Sequence, residues 1–413
     1  MQTGFFRNAV VLGLLAAVGP FAIDMYLPAL PTLAKDLGAS TMAAQMTLMA
    51  FFLTLGIAQV AYGPIADMVG RKPPLYFGIS VFVVGGIGCG LAPSIEWLIF
   101  FRFLQGIGAA ACMVIPRAVI RDLHTGIEAT RLMSLVMLVF SVSPILAPVT
   151  GSGLIVLFGW RSVFVAITIA ALLGLVLVAV FLPETRPVEQ RIRSGLSSVV
   201  AGYGKLLRDP RFMGLTFIGG LGMASFFAFL ASSSFVYIDH FGLTATQYSM
   251  AFSVNAVGFI GASQFAARLA VRFGIQRVIA GAVAGFAGVA VLLFLATVAG
   301  IDSLPVLITM LFASFAFLGL VVPSTMVLAL EDHGPIAGMA SALGGTLQFL
   351  TGAAMIAVVS VFFDGTPVPM VTTIAVCAIG ALLLARITLT ARQATTAYSV
   401  DEADPIEEAE PAE

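Results

Sequence analysis

Twelve stretches of this chain are each long enough to cross a lipid bilayer as a helix and nearly free of charge. A spanning helix needs about 20 apolar residues. Windows of that length fall at roughly 9–31, 42–66, 74–93, 97–119, 132–156, 160–182, 212–236, 247–267, 278–300, 303–329, 336–362 and 368–388. Only 10% of the 413 residues are charged and 60% are hydrophobic. Soluble domains carry about 25% charged residues, so a soluble body of this size would lack the groups to cover its surface. Transmembrane strands would need alternation over about ten residues, a pattern absent here. The predicted fold class is therefore all-α integral membrane, with twelve transmembrane helices. The first window runs on through Pro28 and Pro31 with only Arg7 before it, so it is expected to be a retained span and not a signal peptide. A net charge of -1 and the lack of a basic face argue against nucleic acid as a partner. The three cysteines, Cys89, Cys112 and Cys377, all lie in apolar runs and do not form a disulfide framework.

One junction is longer than the rest. It covers 183–211, carries six basic residues, and separates an N-terminal six-helix half (1–182) from a C-terminal one (212–390). Two equal halves suggest the parallel repeats of a transporter. Gly78 and Gly85 match Gly281 and Gly288 at one offset, a weak internal echo. From 391 to 413 the chain turns acidic and is expected to be a disordered tail. With the N-terminus in the cytoplasm, only Lys35 and Arg161 fall outside, and Arg102 is left within a span. The positive-inside rule then predicts that both termini are cytoplasmic.

A charge at mid-bilayer costs about 2.5–3.5 kcal/mol on insertion scales, so ionisable residues inside spans are functional candidates. Two stand out: Asp24 in span one and Arg102 in span four. Helical rise places both in the outer half of the bilayer, where they are expected to face each other or share a cavity. Burial favours the neutral acid and a nearby guanidinium favours the carboxylate, which makes Asp24 a candidate proton site. Arg102 stays charged and would tune that acid or hold an anionic group. The second half offers neutral polar groups instead, among them Ser232, Asn255 and Gln348. Together with Met25, Tyr26, Gln105, Phe226 and Phe229, these form the candidate substrate cavity. His124, His240 and His333 are scattered near span ends without metal-ligand spacing, so no metal site and no enzyme activity are expected.

Several motifs resemble those of one family. The junction after span two reads GPIADMVGRKP. Its Gly63, Asp67, Gly70, Arg71 and Lys72 resemble the loop signature of the major facilitator superfamily, with Met68 where the family usually has a basic residue. The resemblance implies that this loop controls the switch between inward- and outward-facing states. Gly63 is expected to allow close helix contact, Gly70 to permit the turn, and Asp67 to meet a helix N-terminus or Arg121. RFLQGIGAAA in span four resembles the superfamily motif whose arginine, here Arg102, is implicated in proton transfer. SPILAPVTGSG in span five resembles the antiporter signature through Pro144, Pro148, Gly151 and Gly153. AIDMYLPALP and PETRP are similar to the bicyclomycin-resistance (Bcr/CflA) drug:proton antiporters.

The resemblance covers about residues 9–390 and implies the major facilitator fold in a bacterial inner membrane. It implies export of small drug-like molecules against proton entry, with Asp24 as the embedded acid, no cofactor beyond protons as coupling ion, and a functional monomer. A metabolite or amino-acid exporter or symporter on the same fold is the alternative.

Overall fold

A computed structural model describes residues 2–124, 126–191 and 196–401. All regular structure among the described residues is helical, and twelve helical segments are long and apolar enough to span a membrane. They are Phe5–Asp36, Thr41–Val69, Lys72–Leu91, Ile95–Leu123, Gly126–Phe158, Arg161–Phe181, Pro210–His240, Ala245–Phe273, Ile275–Val298, Leu304–Glu331, Ala337–Phe362 and Val368–Leu389, here spans one to twelve. Most run several residues beyond the sequence windows, because helices do not stop where the hydrocarbon does. Large apolar side chains such as Leu91, Val176, Leu383 and Ile387 point outward, as a lipid-facing surface requires.

Local chemistry sets the ends. Ser40 caps span two by accepting from Ala43 N at 3.2 Å. Thr244 and Gln247 form a reciprocal capping box on span eight. Span one is broken: its α-helix ends at Asp24, a 3-10 turn covers Leu27–Ala29, and a short helix follows over Leu30–Asp36. The cause is Pro28, which has no N–H to give to the carbonyl four residues back, that of Asp24. Span seven also changes pitch, ending in a π-helical turn over Phe235–His240.

The expected linker is not plain coil. It contains a 3-10 turn at Val188–Gln190 and a helix at Leu196–Arg208. Tyr203 on that helix donates to the Val60 carbonyl at 3.3 Å in the first half, and Gly202 lies against Met339 in the second. The last helix continues to Asp401. The remaining acidic segment, 402–413, lies outside the described residues, and its disorder stays an expectation.

An even number of spans puts both termini on one face. On the opposite face the halves are closed onto each other. Lys35 pairs with Asp239 at 2.8 Å, and Gln45 donates to the Ala231 carbonyl at 3.1 Å. Phe52 of span two stacks on Phe227 of span seven with centroids 4.2 Å apart. Along spans two and eleven the contact continues toward the terminal face, where Thr346 donates to the Gly56 carbonyl at 2.8 Å. Spans five and eight behave differently. They touch where Ser249 donates to the Pro148 carbonyl at 2.8 Å and Ser253 to the Ile145 carbonyl at 3.0 Å. Nearer the terminal face they part around a cavity of about 810 Å³, lined by Arg121, Met133, Met137, Ser141 and Gln264 among others.

Candidate coupling site

Asp24 closes the first helix of span one, so the proline-induced break sets its carboxylate at the seam between the halves. It is 5% exposed and makes no hydrogen bond or ion pair among the described residues. The turn that follows it, Leu27–Ala29, packs against spans five, seven and eight. Tyr248 of span eight lies within electrostatic range of the Asp24 carboxylate, and its hydroxyl is bonded to Ser233 Oγ at 3.0 Å.

Arg102 is fully buried. Its Nη1 donates to the Ala22 carbonyl and to Gln105 Oε1, both at 3.0 Å. The guanidinium lies 4.8 Å from the Tyr26 ring centre and 4.3 Å from that of Phe51, where ring faces substitute for a counter-ion. Nε and Nη2 have no hydrogen-bond partner among the described residues. The expected pair is therefore not joined. Arg102 grips the backbone two residues before Asp24, and no ion pair links the two side chains. Gln105 is where helical spacing put it, one turn from Arg102, and its Nε2 is also unpartnered.

The cavity candidates divide. Tyr26 bonds Thr47 Oγ1 at 2.6 Å and, like Met25, belongs to the Asp24–Arg102 neighbourhood. Ser232 Oγ is 3.4 Å from Gln45 Nε2, across the seam. Asn255 donates to the Tyr237 hydroxyl at 3.3 Å and leaves its Oδ1 unpartnered in a buried site. Phe226 and Phe229 pack with Phe315 in an aromatic cluster inside the second half. Gln348 lies against Gly219 within the same half. Tyr248 and Gln45 were not singled out by sequence; a hydroxyl or amide inside an apolar run looks the same whether it meets a neighbour or the seam.

The loop after span two is an ion-pair knot. Gly70 has φ +99°, a left-handed turn open to glycine. Arg71 is 4% exposed and is held by Asp67 at 2.9 Å and Asp122 at 2.7 Å. These carboxylates outweigh the effect of burial and keep the Arg71 guanidinium more basic than usual. Asp67 takes Arg186 as its second partner at 2.9 Å. Arg121 is not that partner. It lies one residue before Asp122 on span four and, turned by the helix, lines the cavity instead. Glu184 accepts from the backbone of Arg71 at 2.8 Å and of Lys72 at 3.0 Å. Asp122, Glu184 and Arg186 were missed because they lie on other elements; Glu184 and Arg186 stand in the PETRP string.

One glycine expectation needs correction. A Cβ on Gly63 would meet nothing within 4 Å, so it makes no close helix contact; Gly78 and Gly106 do that work. Gly153 also faces open space, whereas a Cβ on Gly151 would collide with the Met25 carbonyl. Gly151 thus lets span five press against the broken turn beside Asp24. Pro148 contributes the carbonyl that receives Ser249, and Pro144 lies one turn earlier in the same helix.

The Major Facilitator Superfamily model matches residues 12–357. The chain is 36% identical to the MFS-type transporter YdgK of Bacillus subtilis, over 92% of this chain and 95% of that one. It is 30% identical to a bicyclomycin resistance protein homolog of Haemophilus influenzae, over 92% and 96%. It is also 30% identical to multidrug resistance protein D of Escherichia coli, over 82% and 84%. The fold is similar to that of a D-xylose-proton symporter, with a TM-score of 0.71, 17% identity, and 92% of this chain and 97% of that chain covered. Twelve spans, the loop knot, and relatives matched nearly end to end agree: the chain is a multi-pass membrane protein of the major facilitator superfamily, of the bicyclomycin-resistance type.

Proposed function

We propose that the protein is a proton-coupled multidrug efflux transporter, exporting small antimicrobial compounds by alternating access across a bacterial inner membrane with both termini cytoplasmic. The observation that carries this reading is Asp24, a carboxyl group without a partner among the described residues, at a helix break on the seam between the halves. A lone carboxylate in a low-dielectric interior is costly as an anion and tolerable as a neutral acid. Asp24 therefore carries a proton while the far face is closed. Entry of substrate through the cavity between spans five and eight displaces that proton. The new carboxylate is then met by the substrate or by the spare Nε and Nη2 donors of Arg102. Because Arg102 is anchored on Ala22, a change at Asp24 acts directly on the turn that packs against spans five, seven and eight. Opening of the far face would break Lys35–Asp239 and Gln45–Ala231 and release the substrate.

One proton crossing 100 mV supplies about 2.3 kcal/mol, enough for roughly a fiftyfold gradient of a neutral substrate. The test uses inverted membrane vesicles with an imposed pH gradient and bicyclomycin or chloramphenicol as substrate. Asp24→Asn is expected to reach the membrane at normal levels and lose gradient-driven transport. Gradient-driven transport by that variant at the wild-type rate refutes the assignment.

A further inference from the structure

The cavity of about 810 Å³ between spans five and eight has one charged residue in its lining, Arg121. Its walls are largely apolar and adaptable, with Met133, Met137, Ile145 and Ile260. Thr130 and Ser134 donate their hydroxyls to carbonyls of their own helix, and Gln264 donates its amide to the Ile260 carbonyl at 3.4 Å. Arg121 differs. It is exposed, and among the described residues it has no ion-pair or hydrogen-bond partner. The carboxylates closest to it in the chain are engaged elsewhere: Asp122 holds Arg71 at 2.7 Å, and Glu128 meets His124 at 3.1 Å.

Two more arginines extend this positive face. Arg117 stands one turn deeper in span four, about 9 Å before that helix ends at Leu123. It is exposed, and its guanidinium lies 5.4 Å from the ring centre of Phe140, which adjoins Ser141 in the cavity wall. Arg117 has no ion pair among the described residues. Arg131 lines a second cavity of about 610 Å³ on the span-one side of span five, and the two cavities share Thr130, Ser134 and Leu138. No carboxylate is among the described residues lining either cavity. The facing half supplies none nearby: residues 241–301 contain no Asp or Glu, and Arg268, one turn beyond Gln264, is exposed. A positive-inside bias explains arginines at the membrane boundary. It does not require one set among methionines in a cavity, or another a turn deeper.

We propose that this cavity binds amphiphilic organic carboxylates, which, on the efflux reading above, are a substrate class beside neutral compounds. The carboxylate lies on Arg121 and Arg117, and the apolar body lies against the methionines and isoleucines. A guanidinium fork matches a carboxylate's two oxygens. The cavity has the volume of a site for a drug-sized molecule. Positive charges without counter-charges inside low-dielectric walls concentrate anions. A charge pair about 4 Å apart in watery surroundings is worth about fivefold in affinity, so the two arginines together are expected to contribute about 25-fold.

The experiment is equilibrium dialysis of the purified full-length protein against naproxen, a carboxylate on an aromatic body, and against its neutral primary amide, with protein-free micelles as blank. The wild type should bind naproxen about 25-fold more tightly than the amide. Arg121→Gln should weaken naproxen about fivefold and leave the amide unchanged, and Arg117→Gln with Arg121→Gln should remove the preference. Arg272→Gln, whose guanidinium lies over Phe273 outside the cavity lining, should change neither. Arg121 is exposed, so its single variant carries the test if the double variant fails to fold. Equal binding of the two compounds by the wild type, or undiminished naproxen binding in Arg121→Gln, overturns the proposal. A preference that survives Arg121→Gln but is lost in Arg102→Met also overturns it, by placing the carboxylate at Arg102. Binding is read without a gradient. Absence of gradient-driven transport by the wild type therefore refutes the efflux reading alone, and absence of the carboxylate preference refutes this proposal alone.

Discussion

Replacing Arg102 by methionine separates a coupling role from a packing role. The side chain is fully buried with two hydrogen bonds at 3.0 Å, two ring contacts at 4.3 and 4.8 Å, and, among the described residues, no carboxylate in ion-pair reach. Hydrogen bonds from a charged group contribute about 1.5–3 kcal/mol each. Desolvated cation–π contacts contribute about 2 kcal/mol each. Against this gross gain of roughly 7–10 kcal/mol stands the cost of burying an ion without a counter-charge, several kcal/mol even after relaxation. Methionine fills much of the volume and removes both sides of the balance. Arg102→Met is therefore expected to change stability by no more than about 2–3 kcal/mol, a small shift in the unfolding midpoint of the detergent-purified protein. Transport should nevertheless fall sharply, because the ionised Asp24 would have lost the spare guanidinium donors and could be met only by the substrate. Arg102→Lys keeps the charge but loses the flat face that sits between Tyr26 and Phe51, and should retain a fraction of the activity. Thermal unfolding followed by tryptophan fluorescence, with vesicle transport on the same preparations, reads both quantities. A methionine variant that unfolds in the membrane, or one that transports normally, refutes the reasoning in opposite ways.

Three further outcomes follow from the geometry. Gly151→Leu should insert and fold yet lose transport at least tenfold, because its side chain would push span five off the Met25 carbonyl by overpacking of about 1–3 kcal/mol; normal transport would show that the approach beside Asp24 is dispensable. Lys35→Glu puts a like charge opposite Asp239 and removes a surface pair worth about 0.2–1 kcal/mol. It should raise far-face accessibility two- to fivefold, read by labelling of a cysteine placed in the seam, and unchanged labelling would remove the pair from the far-face closure. Burial opposes the charge on Glu184, but three backbone donors and the nearby Arg191 prevail and hold its pKa below the usual glutamate value. Its stabilising contribution is thus complete above the ordinary carboxylate range, near pH 4.3, and is lost as pH falls through the lowered value. Glu184→Gln should start less stable at pH 7 and show a shallower fall of the unfolding midpoint in acid; parallel curves would contradict the assignment.

The spans were legible because a bilayer imposes a length and a polarity that residues report one at a time. The break at Asp24 was also implicit, since Pro28 removes the one donor its carbonyl needs. What the sequence left open depends on contacts between distant elements. Asp122 and Arg121 are neighbours in the chain, and only the helix's rotation decides which one meets Arg71 and which lines the cavity. Gly63 and Gly151 look equally important as letters in motifs, yet one faces open space and the other a carbonyl. Tyr248 gave no signal at all, because its meaning comes from Asp24 on the other half. Helical rise set Asp24 and Arg102 at a similar depth, but did not reveal that the arginine holds the Ala22 backbone and leaves the acid unpaired among the described residues.

The central claim is that Asp24 exchanges a proton for substrate. Its most direct test is proton release on adding bicyclomycin or chloramphenicol to the purified, weakly buffered protein, followed with a pH-sensitive dye. The account predicts release of about one proton per bound substrate by the wild type and none by Asp24→Asn, even where that variant still binds the compound. Equal release by both proteins would place the exchanged proton elsewhere and contradict the account.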